Sequence, residues 1–230
     1  MLAAAGCASM LIEGPPFRLS GTVYGTLLNH HSALAALAEV MDLPPYKGAP
    51  QAPVLYVKPR NTLAHSGDPV TVPNEINELQ VGACLGVVIG RSACKLRLSQ
   101  VFEHVAGYLI VNDISVPHAT YYRPSIRLKA RDGFCPLGAV TARAQVPHPD
   151  ALQVRTYVDG LLVQTTSTAD LVRSVEQLLV AVTEFMTLAP GDVVAMGVAA
   201  AAPRVRAGQQ VSIEIDGLQT LSNCFVGAAL

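Results

Sequence analysis

Residues 78–90 read ELQVGACLGVVIG. In an extended chain successive side chains point to opposite faces, so Leu79, Val81, Ala83, Leu85, Val87 and Ile89 share one side. The other side carries Gln80, Gly82, Cys84, Gly86 and Val88. This alternation predicts a well-buried strand. Its second face is empty in the middle, at Gly82 and Cys84. Glycine weakens a strand unless another group approaches closely, so either such an approach or a lost side chain is expected there.

Outward from this strand the chain reads as many short strands and few helices. GTVYGTLLN (21–29) opens the pattern, PVLYVKPRNT (53–62) runs from a strand into a loop, and GDPVTVP (67–73) reads as an edge segment. YLIVNDIS (108–115) is an apolar strand that delivers Asp113. QVRTYVDGLLVQ (153–164) places Asp159-Gly160 between two β-prone runs, which predicts a hairpin with a type I′ turn. The strands QVSIEI and LQTLSNCF flank Asp216-Gly217. Ser32 and Ser99 are expected to cap short helices, and Thr168 the longest one. In that helix Leu171, Val172, Val175, Leu178, Leu179, Val182 and Phe185 form one apolar face. Strands and helices in no strict βαβ alternation predict an α+β domain rich in β-structure.

Composition narrows the function. Half of the 230 residues are apolar and 14% are charged, which excludes intrinsic disorder. A formal net charge of -1 offers nothing to nucleic acid. No apolar run reaches the roughly 18 residues a membrane helix needs. Residues 1–20 lack a basic n-region and read as a loosely ordered extension, with the domain running from 21 to 230. The five cysteines form no C-x-x-C pair, which suits reduced thiols in a cytoplasmic protein.

Several residues are candidates for chemistry. Asp113, at the end of an apolar strand, either binds a cation or holds backbone amides. If RLKAR (127–131) is extended, Arg127, Lys129 and Arg131 share a face; they hold carboxylates, with Lys129 polarising a carbonyl, or they guard a solvated sheet edge. KPRNT (58–62) and YYRP (121–124) are basic or aromatic and sit on expected loops. His30 and His31 point opposite ways on a strand, so at most one faces a pocket. Cys84 and Cys135 have no neighbouring base in sequence and read as structural thiols.

Taken in order, LLNHH, VKPRNTL, the strand ending VVIG, VAGYLIVNDIS, KARDGFCPLG, TTSTADL and LAPGDVVAMG resemble the fumarylacetoacetate hydrolase family over nearly the whole chain. Within that family, LNHHSAL, PPYKGAP, VKPRNT, YYRPSIRLKARDGFCP and STADL resemble the N-terminal-type half of the isomerase/decarboxylases of 4-hydroxyphenylacetate breakdown. The resemblance implies a β-rich fold of mixed sheets rolled around the site, with few short helices and one long one. It implies enol and enolate chemistry on 2-oxo polycarboxylates: isomerisation of 2-hydroxyhepta-2,4-diene-1,7-dioate or decarboxylation of 5-oxopent-3-ene-1,2,5-tricarboxylate. It gives Lys129 and Asp113 catalytic roles and Asn29, Lys58, Arg123, Arg127 and Thr168 substrate-binding roles. It implies a homodimer, or a heterodimer with a C-terminal-type subunit.

Metal-dependent members of the family carry two Glu at i and i+2 in the strand that opened this section, with an Asp in the N-D motif, around Mg²⁺ or a similar cation. Those Glu positions fall on Gly82 and Cys84, so only Asp113 is retained and no metal or other cofactor is expected on this chain. Restoring both Glu is expected to create a Mg²⁺ site. A His and a Glu that handle water in family members fall on Ala33 and Ala36, and the usual Gly-Thr-Pro falls on Gly197-Val198-Ala199. These losses leave two readings open: a metal-free enzyme, or a catalytically degenerate partner of a metal-bearing subunit.

Overall fold

Alternation decides the centre of the molecule. In the computed structural model, which describes residues 12–13, 18–19, 21–118 and 126–228, the strand Ala83–Ile89 is buried along its whole length. Its two faces enter different cores: Ala83, Leu85, Val87 and Ile89 join the larger apolar cluster, Cys84 and Val88 the smaller. Most of the expected extension, residues 1–20, lies outside the described residues; Ile12–Glu13 pairs antiparallel with Arg18–Leu19.

In chain order the main strands are β1 (Val23–Leu27), β2 (Val54–Lys58), β3 (Leu63–His65), β4 (Val70–Val72), β5 (Ala83–Ile89) and β6 (Val105–Asn112). They continue as β7 (Cys135–Leu137), β8 (Thr141–Ala142), β9 (Gln153–Val158), β10 (Leu161–Ser167), β11 (Val193–Ala195), β12 (Gln210–Ile215) and β13 (Leu221–Gly227). One mixed sheet of eight strands runs β2-β1-β11-β5-β6-β7-β3, with β8 on β6; a second of five runs β10-β9-β12-β13-β4. The larger cluster draws on both sheets and on the helix Val175–Thr183. This is the β-rich α+β architecture that the strand pattern predicts.

The hairpin β9–β10 turns at Asp159 (φ 50°) and Gly160 (φ 79°), both left-handed, as a type I′ turn requires. Helices are short: α1 (His31–Ala35), α2 (Ala38–Met41), α3 (Val101–His104), α4 (Ile126–Lys129) and α5 (Val175–Thr183). Three expected caps move. His30, not Ser32, caps α1, its Nδ1 accepting the Ser32 N–H. Ser99 lies inside a 3-10 turn, Leu98–Gln100, that precedes α3. Thr168 likewise starts a 3-10 turn, and α5 is capped by Ser174, whose hydroxyl accepts the Gln177 N–H while Gln177 reaches back to the Ser174 N–H. Among the described residues no helix is long and apolar enough to cross a membrane.

Candidate active site

Asp113 stands just past the end of β6, buried, beside three groups from distant parts of the chain. Lys58 Nζ lies 2.9 Å from its Oδ1 and Lys129 Nζ 2.6 Å from its Oδ2. The Tyr56 hydroxyl also donates to Oδ2. Tyr56 and Lys58 are two apart on β2, so both side chains leave the same face of the strand. Tyr56 crosses the neighbouring strand at its register partner Gly25, where a Cβ would run into the phenol ring. Lys129 Nζ sits 4.9 Å from the centre of the Tyr56 ring, within cation–π range.

The two lysines do different work. Lys58 is 1% exposed at its side chain and donates also to the carbonyls of Ile114 (3.2 Å) and Lys129 (2.9 Å). It therefore holds the Asp113 turn and the end of α4 together. Lys129, 10% exposed, is the ammonium that reaches the cavity wall. Burial alone would raise the Asp113 carboxyl, but Lys129 and Lys58 outweigh it and hold it well below the ordinary carboxylate range. Burial, then the Asp113 charge, pushes the Tyr56 phenol well above its usual value.

The cavity beside this cluster measures about 280 Å³. Its polar lining includes Tyr56, Asp113, Lys129, Gln80, Ser115 and His118; its apolar lining includes Leu27, Leu28, Leu37 and Val198. Ala33 and Ala36 also line it. Four of the polar residues, Tyr56, Gln80, Ser115 and His118, were not among the sequence candidates. Tyr56 had one legible signal, its i, i+2 spacing from Lys58.

The close approach expected at Gly82 is there. The Asp113 N–H donates to the Gly82 carbonyl (2.8 Å), and the Gly82 N–H to Asn112 Oδ1 (3.1 Å). A Cβ on Gly82 would overlap the Asp113 carbonyl oxygen and lie 2.9 Å from its carbonyl carbon.

Other expected site residues lie elsewhere. Asn29 is buried away from the cavity, donating to the carbonyls of Met196 (2.8 Å) and Arg173 (3.2 Å) and accepting the Arg173 N–H (3.0 Å); it ties the end of β1 to the loop before α5. The Thr168 hydroxyl accepts the Leu152 N–H (2.8 Å). The extended reading of residues 127–131 is corrected: residues 126–129 are helical, so positions two apart point to nearly opposite sides, and Lys129 turns inward while Arg127 is exposed. Arg123 lies outside the described residues. His31 is exposed, and His30 spends Nδ1 on Ser32.

Cys84 and Cys135 are buried. Burial, then the Asp113 charge, raises the Cys84 thiol; burial pushes Cys135 up to about 12. Alkylation of the native protein with iodoacetamide at mildly alkaline pH, read by peptide mass spectrometry, is expected to modify the exposed Cys94 and Cys224 and to reach Cys84 and Cys135 only after denaturation.

The family model described as fumarylacetoacetate (FAA) hydrolase C-terminal matches residues 22–226. The chain belongs to the fumarylacetoacetate hydrolase family. It is 38% identical over 205 residues to the 4-hydroxyphenylacetate degradation bifunctional isomerase/decarboxylase of Escherichia coli, covering 89% of this chain and 47% of that protein. The chain thus spans about half the length of the curated relatives it matches. Among solved structures it is similar to fumarylpyruvate hydrolase from Pseudomonas aeruginosa in complex with Mn²⁺ and pyruvate (TM-score 0.80, 25% identity, 94% of each chain). It is also similar to 5-carboxymethyl-2-hydroxymuconate delta-isomerase from Mycobacterium smegmatis (TM-score 0.75, 26% identity, 91% of this chain and 80% of that one).

The donor set here does not suit a hard divalent cation. Gly82 has no ligand atom, the Cys84 thiol is protonated and soft, and both Asp113 oxygens face ammonium groups. Among the described residues, no three His, Cys, Asp or Glu side chains gather where they could hold a metal.

Proposed function

We propose that this chain is a subunit of a 2-hydroxyhepta-2,4-diene-1,7-dioate isomerase / 5-oxopent-3-ene-1,2,5-tricarboxylate decarboxylase, working on 2-oxo polycarboxylates without a metal or other cofactor in its own cavity. The observation that carries this reading is the Lys129 ammonium, held by Asp113 and Tyr56 on the wall of a cavity sized for a small acid. In the isomerisation the enol O–H of the dienol loses its proton, the C2 carbonyl forms, and a carbon of the conjugated chain gains a proton. In the decarboxylation the C–CO₂ bond breaks and its electron pair enters the same conjugated system. Both routes pass through an enolate, and the Lys129 ammonium on the cavity wall supports its role as the preorganised cation for that charge. Lys58 and Tyr56 keep Asp113, and through it Lys129, in position.

A second reading has its own support. Ala33 and Ala36 leave the wall without a water-handling pair. On that reading it is a degenerate partner of a metal-bearing C-terminal-type subunit, joined in a heterodimer, whereas the enzyme reading also allows a homodimer.

The test is tautomerisation of 2-hydroxyhepta-2,4-diene-1,7-dioate by chelator-treated protein. Turnover that survives the chelator and falls by about 10²–10³ in Lys129→Met supports the metal-free enzyme. Turnover in Lys129→Met equal to that of the parent overturns the role of Lys129. No turnover until a metal-bearing partner is added favours the degenerate subunit.

A further inference from the structure

Among the described residues, the charges of the cluster on the cavity wall do not balance. Lys58 and Lys129 bring two positive charges to the single carboxylate of Asp113, and the Tyr56 phenol stays neutral. Asp113 and Lys129 are the only Asp, Glu, Lys or Arg residues among the described groups lining the cavity. Among the described residues, one net positive charge is therefore buried at the wall of a small cavity. A buried charge without a counter-charge is costly, and an anion is what relieves it.

We infer that the Lys58–Asp113–Lys129 triad takes the place of a divalent cation, making this cavity a metal-independent site for a small carboxylic acid whose carboxylate sits on Lys129. Three observations lead to it. Lys129 is the ammonium on the wall, while Lys58, behind it, spends its protons on Asp113 and two carbonyls. Gly82 leaves no room for a ligand side chain, because the Asp113 backbone already occupies that space. The lining also includes Leu27, Leu28, Leu37 and Val198, which suits the hydrocarbon part of such an acid. At about 280 Å³ the cavity stands near the low end of small-molecule sites. The inference goes beyond the proposed reaction, since it holds whether or not the chain turns substrate over.

The experiment is calorimetric titration of the full chain with oxalate and with pyruvate, in excess chelator and then in Mn²⁺ or Mg²⁺. Equal affinity with and without metal is expected, and binding that appears only with metal overturns the site, as does no binding under either condition. Lys129→Met is expected to weaken oxalate by about 10- to 100-fold; unchanged affinity in that variant also overturns it. Should Lys129→Met fail to fold, the comparison with and without metal decides.

Discussion

Replacing Lys58 with methionine is expected to lower stability by about 3 kcal/mol, near the low end for breaking a buried ion pair. In a protein of this size that is a fall in melting temperature of roughly 6–12 °C. The side chain is 1% exposed, and its ammonium serves Asp113 Oδ1 at 2.9 Å together with the carbonyls of Ile114 and Lys129. Methionine fills similar space and supplies none of these protons. Asp113 keeps Lys129, so the carboxylate is not stranded, and this places the loss toward the lower bound. The pH dependence has a definite sign. Native Asp113 is held well below the ordinary carboxylate range, so its contribution is present above that range and fades as pH falls through the lowered value. Loss of Lys58 lets the Asp113 carboxyl rise, so the gap between variant and parent narrows in acid. Thermal melts at neutral pH and in acid measure both effects. A variant melting within a degree or two of the parent would mean that Lys58 is not the brace of this turn.

The second large effect concerns Gly82. The sequence suggests that Glu at 82 and 84 would rebuild a Mg²⁺ site around Asp113. The structure reverses that expectation. Any Cβ at 82 meets the Asp113 carbonyl, and the Asp113 carboxylate is already held by two ammonium groups. Gly82→Ala alone is expected to lower stability by about 3 kcal/mol, the upper end for overpacking, because the obstacle is backbone and cannot rotate aside. Gly82→Glu with Cys84→Glu is expected to melt lower still and to show neither heat nor thermal stabilisation with Mg²⁺. A folded double variant with a Mg²⁺-dependent rise in melting temperature would sink this account: the Asp113 turn would then be free to move off the strand and release its lysines.

Much of the fold was legible because it is written in short-range periodicity. The alternation in residues 78–90 predicts a well-buried strand, found at Ala83–Ile89, and Asp159-Gly160 predicts its own turn. Helix boundaries were harder. Ser32, Ser99 and Thr168 have the chemistry of a cap, but His30 and Ser174 hold the cap positions, and Ser99 and Thr168 sit in 3-10 turns. The three cations two apart in residues 127–131 would share a face only if that segment were extended. The helix at 126–129 instead sends Lys129 into the protein and leaves Arg127 in water.

For the candidate site the division is sharper. By itself the sequence determined which residue types are present, Asp113 and Lys129 among them, while the family resemblance implies ligands and proton carriers at the positions of Gly82, Cys84, Ala33 and Ala36. Those are local facts, readable from the order of motifs. Only the tertiary structure decided what Asp113 touches. Tyr56, Lys58 and Lys129 lie 57, 55 and 16 residues from it along the chain, and they meet because β2, the end of β6 and α4 converge at one end of a cavity. Sequence spacing carries no term for such a meeting. It is set by strand register and core packing, and the same packing drives the Asp113 backbone against Gly82, turning an apparently vacant metal position into a closed one.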